Sequence, residues 1–360
     1  MSRLIRAVID TRALRSNLAT IRAKVPGSKV MAVVKANGYG HGLIPIALSL
    51  AEADAFAVAR LEEGLALRAA GVNQTIILLE GVFTPEQLQE AARHGFQIVV
   101  HDTLQIELLE SFPGSHRFVL WLKMDTGMNR LGFRPEEYMS AFERIRKLTP
   151  PPLEVRLLTH LARADERDES MTRRQVDVFT TIVKKLGCVT SISNSAGIFG
   201  ATDTRCDWVR PGLALYGASP FADQSAAELG LLPAMTFETA VIAIRNVPRG
   251  ETVGYAGAWA APRNSLIAIV AAGYGDGLLR SLPTGAPVLI DGRRAPLVGR
   301  VSMDMIAVDI TDLQGPPVNL GARAILWGEG LPVEEVAAHA GTIPYELICG
   351  VRQRVPRELR

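Results

Sequence analysis

The chain has 360 residues, of which 48% are hydrophobic and 21% charged, which excludes a disordered chain and, at this length, a small scaffold that needs staples. Lys and Arg number 39 against 37 Asp and Glu, a net charge of +2, so no basic surplus calls for nucleic acid or an anionic membrane. Three cysteines, Cys188, Cys206 and Cys349, are odd in number, far apart and at no zinc spacing. They predict reduced thiols in a cytoplasm and no metal site. The N-terminus carries charge every few residues and lacks the apolar run of a signal peptide. The longest apolar stretch, around 266–272, is far short of the roughly 20 residues that span a bilayer.

Eight short apolar runs recur through the first 220 residues: 30–35, 55–59, 75–80, 96–100, 118–123, 153–160, 189–193 and 209–217. They are apolar throughout rather than alternating, as strands buried on both faces of a parallel sheet should be. Helical segments lie between most of them. LEEGLALRAAG stops at Gly71. TPEQLQEAARHG has Thr84 as N-cap, Pro85 at the first helical position and Gly95 as a stop; DESMTRRQVDVFTTIVKKLG closes at Gly187. Eight strands with helices between them predict a (β/α)8 TIM-type barrel. After about Phe221 the texture changes to strands and turns: MTFETAVIAIRNV, a turn at Pro248-Arg249-Gly250, SLIAIVAAG, then a hairpin at Asp291-Gly292, followed by AVDI and ARAILWG. Only PVEEVAAHAG reads as helix. The expected organisation is α/β: a barrel over 1–225 and a mostly β C-terminal domain over 226–360.

Lys35 ends the first apolar run. A lysine after five apolar residues is costly to bury unless it projects from the strand's C-terminal end, where barrel active sites lie. There its amine is available for Schiff-base chemistry. The glycine-rich continuation, Asn37 to Gly42, lets backbone approach a ligand closely. His160 ends the sixth run, Asn194 and Ser195 follow the seventh, and Arg210, Gly212 and Tyr216 lie in or after the eighth. Barrels often grip phosphate with the loops after strands 7 and 8. Lysine, phosphate grip and a cation near an aromatic ring together describe a pyridoxal 5'-phosphate (PLP) site. Taken singly, each has an ordinary explanation: a surface lysine, a hydrogen-bonded structural histidine, an Asn-Ser helix cap and an Arg-Pro-Gly turn.

The segments VVKANGYGHG, LKMDTGMNRLGF, SNSAGIF, DWVRPGLALYG, VGY, GYGDG, GRVSMDM and TIPYEL resemble, in order and approximate spacing, the motif series of the bacterial alanine racemases. The resemblance runs from about Leu4 to Pro356. It implies a PLP-dependent homodimer that interconverts L- and D-alanine on a PLP aldimine with two bases. In that family the first strand can belong to the β domain, which leaves residues 1–10 to pack with either unit. By the same resemblance Lys35 holds PLP and acts as one base, and Tyr255 is the other, donated by the partner subunit. Lys35, Tyr39, His160, Asn194, Ser195, Arg210, Gly212, Leu213 and Tyr345 form the implied cofactor-binding set, with Arg210 at the pyridine nitrogen and His160 linking it to the tyrosine base. Arg130 and Met303, the latter from the partner, match contacts to the substrate carboxylate. Tyr274 and Asp304 match residues near the mouth of the site. Lys123 matches a lysine that some members carbamylate to hold the arginine in place.

Three positions depart from the family pattern: Leu161 after His160 and Leu278-Leu279 after Gly277, where aromatic or Tyr-Pro residues are common, and Ala256 after Tyr255. None removes a catalytic group. Two other readings stay open: a racemase of serine or of a broader amino-acid range, and a non-catalytic PLP carrier. Carriers of that kind resemble the barrel alone, whereas Tyr255 and Met303 here sit in a full second domain.

Overall fold

The computed structural model describes residues 4–200, 202–204 and 206–360. The first strand, β1 (Arg6–Ile9), is followed by a helix over Thr11–Lys24, which the sequence reading left unassigned. Asp10 caps it by accepting from the N–H groups of Arg12 and Ala13, the arrangement expected of an aspartate at an N-cap. Eight parallel strands then close into a barrel: β2 (Lys29–Val33), β3 (Ala55–Val58), β4 (Thr75–Leu78), β5 (Gln97–Val100), β6 (Val119–Lys123), β7 (Glu154–Leu158), β8 (Thr190–Ser191) and β9 (Trp208–Val209). Pairing of Lys29 with Trp208 and Val30 with Val209 completes the ring. All eight apolar runs lie on these strands, though the last two strands are only two residues each. Most of the last run, Leu213–Tyr216, is a 3-10 turn.

The runs are apolar because both faces are covered: Ala55–Val58 is buried along its whole length, and helices pack outside while side chains fill the centre. Each fully buried aliphatic side chain contributes about 1.5–3 kcal/mol. At the N-terminal end of the barrel Arg156 lies over both Trp121 and Trp208, with ring-centroid distances of 5.2 and 5.5 Å. Glycines stop the helices where expected, with φ of +81° at Gly71, +62° at Gly95 and +62° at Gly187, the left-handed conformation glycine adopts most cheaply.

The second sheet has eight strands in the order Ser265–Val270, Ile306–Asp309, Arg293–Val298, Pro287–Ile290, Arg323–Trp327, Met235–Val247, β1 and Arg357–Leu359. The Asp291-Gly292 hairpin is present, with both residues at positive φ, as a two-residue turn of the primed type requires. β1 pairs antiparallel with Met235–Val247 and parallel with Arg357–Leu359. Residues 6–9 therefore sit in the C-terminal sheet; residues 1–3 lie outside the described residues. The buried Glu238 carboxylate on Met235–Val247 is held between Arg6 and Arg323, so its charge is paired where burial would otherwise be costly. A second helix in this half, Pro344–Gly350, corrects the expectation of a single one. Its seven residues are too few for a periodic pattern to register.

Candidate active site

A cavity of about 640 Å³ opens at the C-terminal mouth of the barrel. Each strand or the loop after it supplies wall: Val33 and Lys35, Ala59, Glu80, Val99, Lys123, His160, Ser195 and Arg210 come from the eight in turn. Ile343, Tyr345 and Cys349 from the Pro344–Gly350 region close one side.

Lys35 stands two residues beyond the end of β2, half-buried, rather than on the strand itself. The chain there takes a left-handed turn, with φ of 53° at Ala36, 55° at Asn37, 61° at Gly38 and 50° at Tyr39. Three of these are not glycine, and the left-handed region costs roughly 1–2 kcal/mol for each such residue. Strain of this kind persists only where surrounding contacts over-determine it.

Tyr39 ends that turn, and its ring lies between Tyr216, stacked at 4.7 Å, and Tyr345 at 5.8 Å. Burial raises the Tyr39 phenol above its ordinary range and pushes Tyr345 up to about 12, so both hydroxyls are neutral donors. Ser195 Oγ accepts from the N–H groups of Gly212 and Ala214. A Cβ on residue 212 would lie 2.4 Å from the Tyr39 hydroxyl; only glycine leaves that hydroxyl in place. Asn194 caps the short helix Ser195–Phe199 by accepting from Gly197 N–H. It lines the cavity as well, so the cap explanation and the site explanation hold together. Leu213 is buried behind this wall and is not part of it.

Arg210 is buried. Its guanidinium donates to Ser191 Oγ at 2.5 Å, to the carbonyls of Thr159 and Ile192 at 2.5 and 3.0 Å, and to His160 Nδ1 at 3.3 Å. Burial brings it down to about 10, so it remains a cation at neutral pH. Burial, and then the charges of Arg210, Lys123 and Arg130, hold His160 well below the usual imidazole range. His160 is therefore neutral, with Nδ1 accepting and its proton on Nε2. Lys123 is buried at the end of β6, and burial followed by Arg210 and Arg130 pushes it down to about 8. Arg130 is exposed at the cavity's rim. Next to Lys123 in sequence, Asp125 orders the loop between them by accepting from the N–H groups of Gly127 and Asn129.

The remaining expected residues lie elsewhere. Tyr255 is 69% exposed and Met303 53% exposed, and neither lines the Lys35 cavity. Tyr255 opens a one-turn 3-10 segment between Gly254 at φ 77° and Ala256 at φ 60°. Met303 is fixed through its backbone: its carbonyl accepts from Gly275 N–H at 2.8 Å, while Tyr274 N–H donates to the Ser302 carbonyl at 3.0 Å. Arg354 donates to Asp276 and Asp304 at 2.7 and 2.6 Å. The C-terminal unit thus presents Tyr255, Tyr274, Met303 and Asp304 away from its own chain's cavity. Sequence reasoning had passed over Glu80, Ile343 and Cys349 as wall residues. Cys349 was reachable, since it stands four residues after Tyr345 and so shares its helix face.

Two family profiles match the chain, "Alanine racemase, N-terminal domain" over residues 9–220 and "Alanine racemase, C-terminal domain" over 234–359. The alanine racemase of Aeromonas hydrophila is 48% identical over 349 residues, 97% of either chain. That of Nitrosococcus oceani is 48% identical over 353 residues, 98% of either chain. Among solved structures, the biosynthetic alanine racemase of Pseudomonas aeruginosa superposes with a TM-score of 0.96 at 42% identity, covering 99% of both chains. The alanine racemase from D-cycloserine-producing Streptomyces lavendulae gives 0.90 at 32% identity, covering 100% of this chain and 98% of its own.

Proposed function

Because the chain belongs to the alanine racemase family, we propose that it interconverts L- and D-alanine, with PLP held on Lys35 and with active sites shared between two copies of the chain. The observation that carries this reading is the charge of the cavity. Lys35, Lys123, Arg130 and Arg210 line it against a single carboxylate, Glu80, and no carboxylate among the described residues pairs with buried Arg210. A buried cation without a counter-charge is expensive unless an anionic ligand completes the site. PLP and an amino acid bring a phosphate and a carboxylate.

The residues present fit that cofactor. Tyr39, Ser195, Gly212 and Tyr345 form a small polar corner from which hydroxyl and backbone donors would hold the phosphate. Arg210 would face the pyridine nitrogen and Lys35 the carbonyl carbon. Bound there, PLP supplies an electron sink for the Cα of the amino acid. Arg210 stays protonated and cannot accept the ring's proton, which keeps that sink weak and limits side reactions. Inversion at Cα requires a proton to leave one face and another to arrive on the opposite face. Lys35 serves one face and the partner subunit's Tyr255 the other. His160, fixed by Arg210 with its proton on Nε2, donates to that phenol oxygen and steadies it. Arg130 holds the substrate carboxylate, joined by the partner subunit's Met303, and carbamylated Lys123 holds Arg130. Within one chain Tyr255 and Met303 are exposed and apart from Lys35, which supports a site completed by a second copy across a two-fold interface.

The division into units 1–225 and 226–360 belongs to this reading; β9 and Met235–Val247 lie on either side of it. The cytoplasm is the compartment we assign, on the three cysteines, none of which forms a disulfide. No helix among the described residues is long and apolar enough to cross a membrane. The test is a visible spectrum of the purified protein with a chiral assay on L-alanine, L-serine and L-lysine. Bound PLP and selective formation of D-alanine are expected. Faster turnover of serine or lysine would transfer the reading to a broader racemase, and PLP bound without any racemisation would favour a carrier.

A further inference from the structure

The strained turn after Lys35 is held from three sides. At its trailing end Arg357 Nε donates to the Gly40 carbonyl at 3.0 Å, and His41 Nδ1 meets the Tyr39 carbonyl at 2.8 Å. In its middle Asn37 Oδ1 accepts from Leu43 N–H at 2.9 Å. At its leading edge stands Glu63, from the next strand–helix unit of the barrel. Its Oε1 accepts from Ala36 N–H at 2.7 Å, and its Oε2 accepts from the N–H groups of Ala59 and Arg60 at 2.9 and 3.2 Å.

We propose that Glu63 is a positioning residue for Lys35, a role that rests on Lys35 being the cofactor lysine. Among the described residues, Glu63 is the one side chain that bonds the peptide joining Lys35 to Ala36. That peptide sets the direction in which Lys35 leaves the backbone. Ala36 is itself in the left-handed region, so its N–H has no partner in a right-handed helix and the turn opens there first if the acceptor is lost.

Helix capping accounts for half of this carboxylate. Glu63 is the third residue of the helix Leu61–Ala69 and reaches back to Arg60 N–H, as a residue at that position does in a capping box. One oxygen suffices for that duty. The second spans 27 positions of sequence to Ala36. An aspartate at position 63 would keep the negative charge at the helix start, but one methylene shorter it cannot serve both ends. A catalytic group must be held within about 0.5 Å of its productive position by contacts of this kind, and misplacement by about 1 Å lowers rates about a hundredfold.

The test compares Glu63→Asp, Glu63→Ala and Thr84→Ala as holoenzymes. Thr84 caps a different barrel helix by accepting from Gln87 N–H and touches nothing near Lys35; its loss gauges what a missing cap alone does. Four readouts are taken: kcat and KM for L-alanine, PLP retention on dilution by visible absorbance, borohydride trapping of PLP on Lys35, and Tm. Glu63→Asp is expected to lower kcat about 10- to 100-fold, slow trapping and release PLP more readily, with a Tm no lower than that of Thr84→Ala. Thr84→Ala should keep wild-type kcat. Should Glu63→Asp fail to fold, Glu63→Gln replaces it: its amide sets a donor against one of the three N–H groups, and slower trapping is again expected. Wild-type kcat and trapping in the folded variant, with the adduct lost in Lys35→Ala, overturns the role of Glu63 alone. An adduct that persists in Lys35→Ala overturns the lysine assignment and this proposal with it.

Discussion

The guanidinium of Arg210 donates to Nδ1 of His160 across 3.3 Å, and no carboxylate among the described residues pairs with either side chain. The pair orders the site because one member is a fixed cation and the other is thereby kept neutral. His160 should give an imidazole NMR signal that does not move between pH 8 and pH 5.5. In Arg210→Glu the cation becomes an anion, the imidazolium is favoured, and the same signal should titrate in that range. Racemisation should slow at least about tenfold in this variant, with a new long-wavelength absorbance during turnover, since a glutamate facing the pyridine nitrogen strengthens the electron sink. A wild-type rate with an unchanged spectrum would contradict the role given to Arg210.

His41 is buried against Tyr216, with ring centroids 4.6 Å apart, and burial pushes it down to about 4. Its unfolded value is about 6.5. Between those values the unfolded chain binds a proton that the folded chain refuses, so stability is present above pH 6.5 and is lost as pH falls toward 4. At pH 5 the loss from this residue is about 2 kcal/mol. Urea unfolding at pH 7 and pH 5 should show His41→Gln less acid-sensitive than wild type by about that amount. Parallel losses in the two proteins would show that His41 is not the cause.

The barrel was legible because burial on both faces leaves a run such as AFAV no polar position, a pattern that sheet geometry imposes directly. The left-handed turn from Ala36 to Tyr39 was not legible. Alanine, asparagine and tyrosine adopt that conformation only when long-range contacts such as those of Glu63 and Arg357 enforce it, and single-residue preferences point the other way. The pairing of Arg6–Ile9 with Arg357–Leu359 joins opposite ends of the chain, which no local pattern records; only the family resemblance raised it. Lys35 was recognised as a site residue from its position after an apolar run. Tyr255 and Met303 carry no such mark, because a residue that serves another chain looks, in its own, like an exposed surface residue.

Lys123, brought down to about 8 by burial and by Arg210 and Arg130, should be roughly half neutral at pH 8. The neutral amine is the form that adds CO2, giving a carbamate and releasing a proton. At fixed dissolved CO2 the adduct should therefore increase from pH 7 to pH 9. Carbon-13 NMR after incubation with labelled bicarbonate should show a carbamate carbon in wild type and none in Lys123→Ala. The variant should also raise KM for alanine several-fold, because Arg130 loses the anion that orients it. Absence of the signal from wild type would remove carbamylation from the account.

The shared site is tested most directly by mixing two inactive proteins. Lys35→Ala and Tyr255→Ala homodimers should each be nearly inactive, since each lacks one base at both sites. After subunit exchange at equal amounts, about half the dimers are mixed. In each mixed dimer one site carries both defects and the other carries neither, as the two-fold symmetry of the interface dictates. Activity should then recover to about a quarter of wild type. If mass-tagged subunits demonstrate exchange and activity stays at the level of the separate variants, Tyr255 serves the Lys35 of its own chain and the shared-site account is wrong.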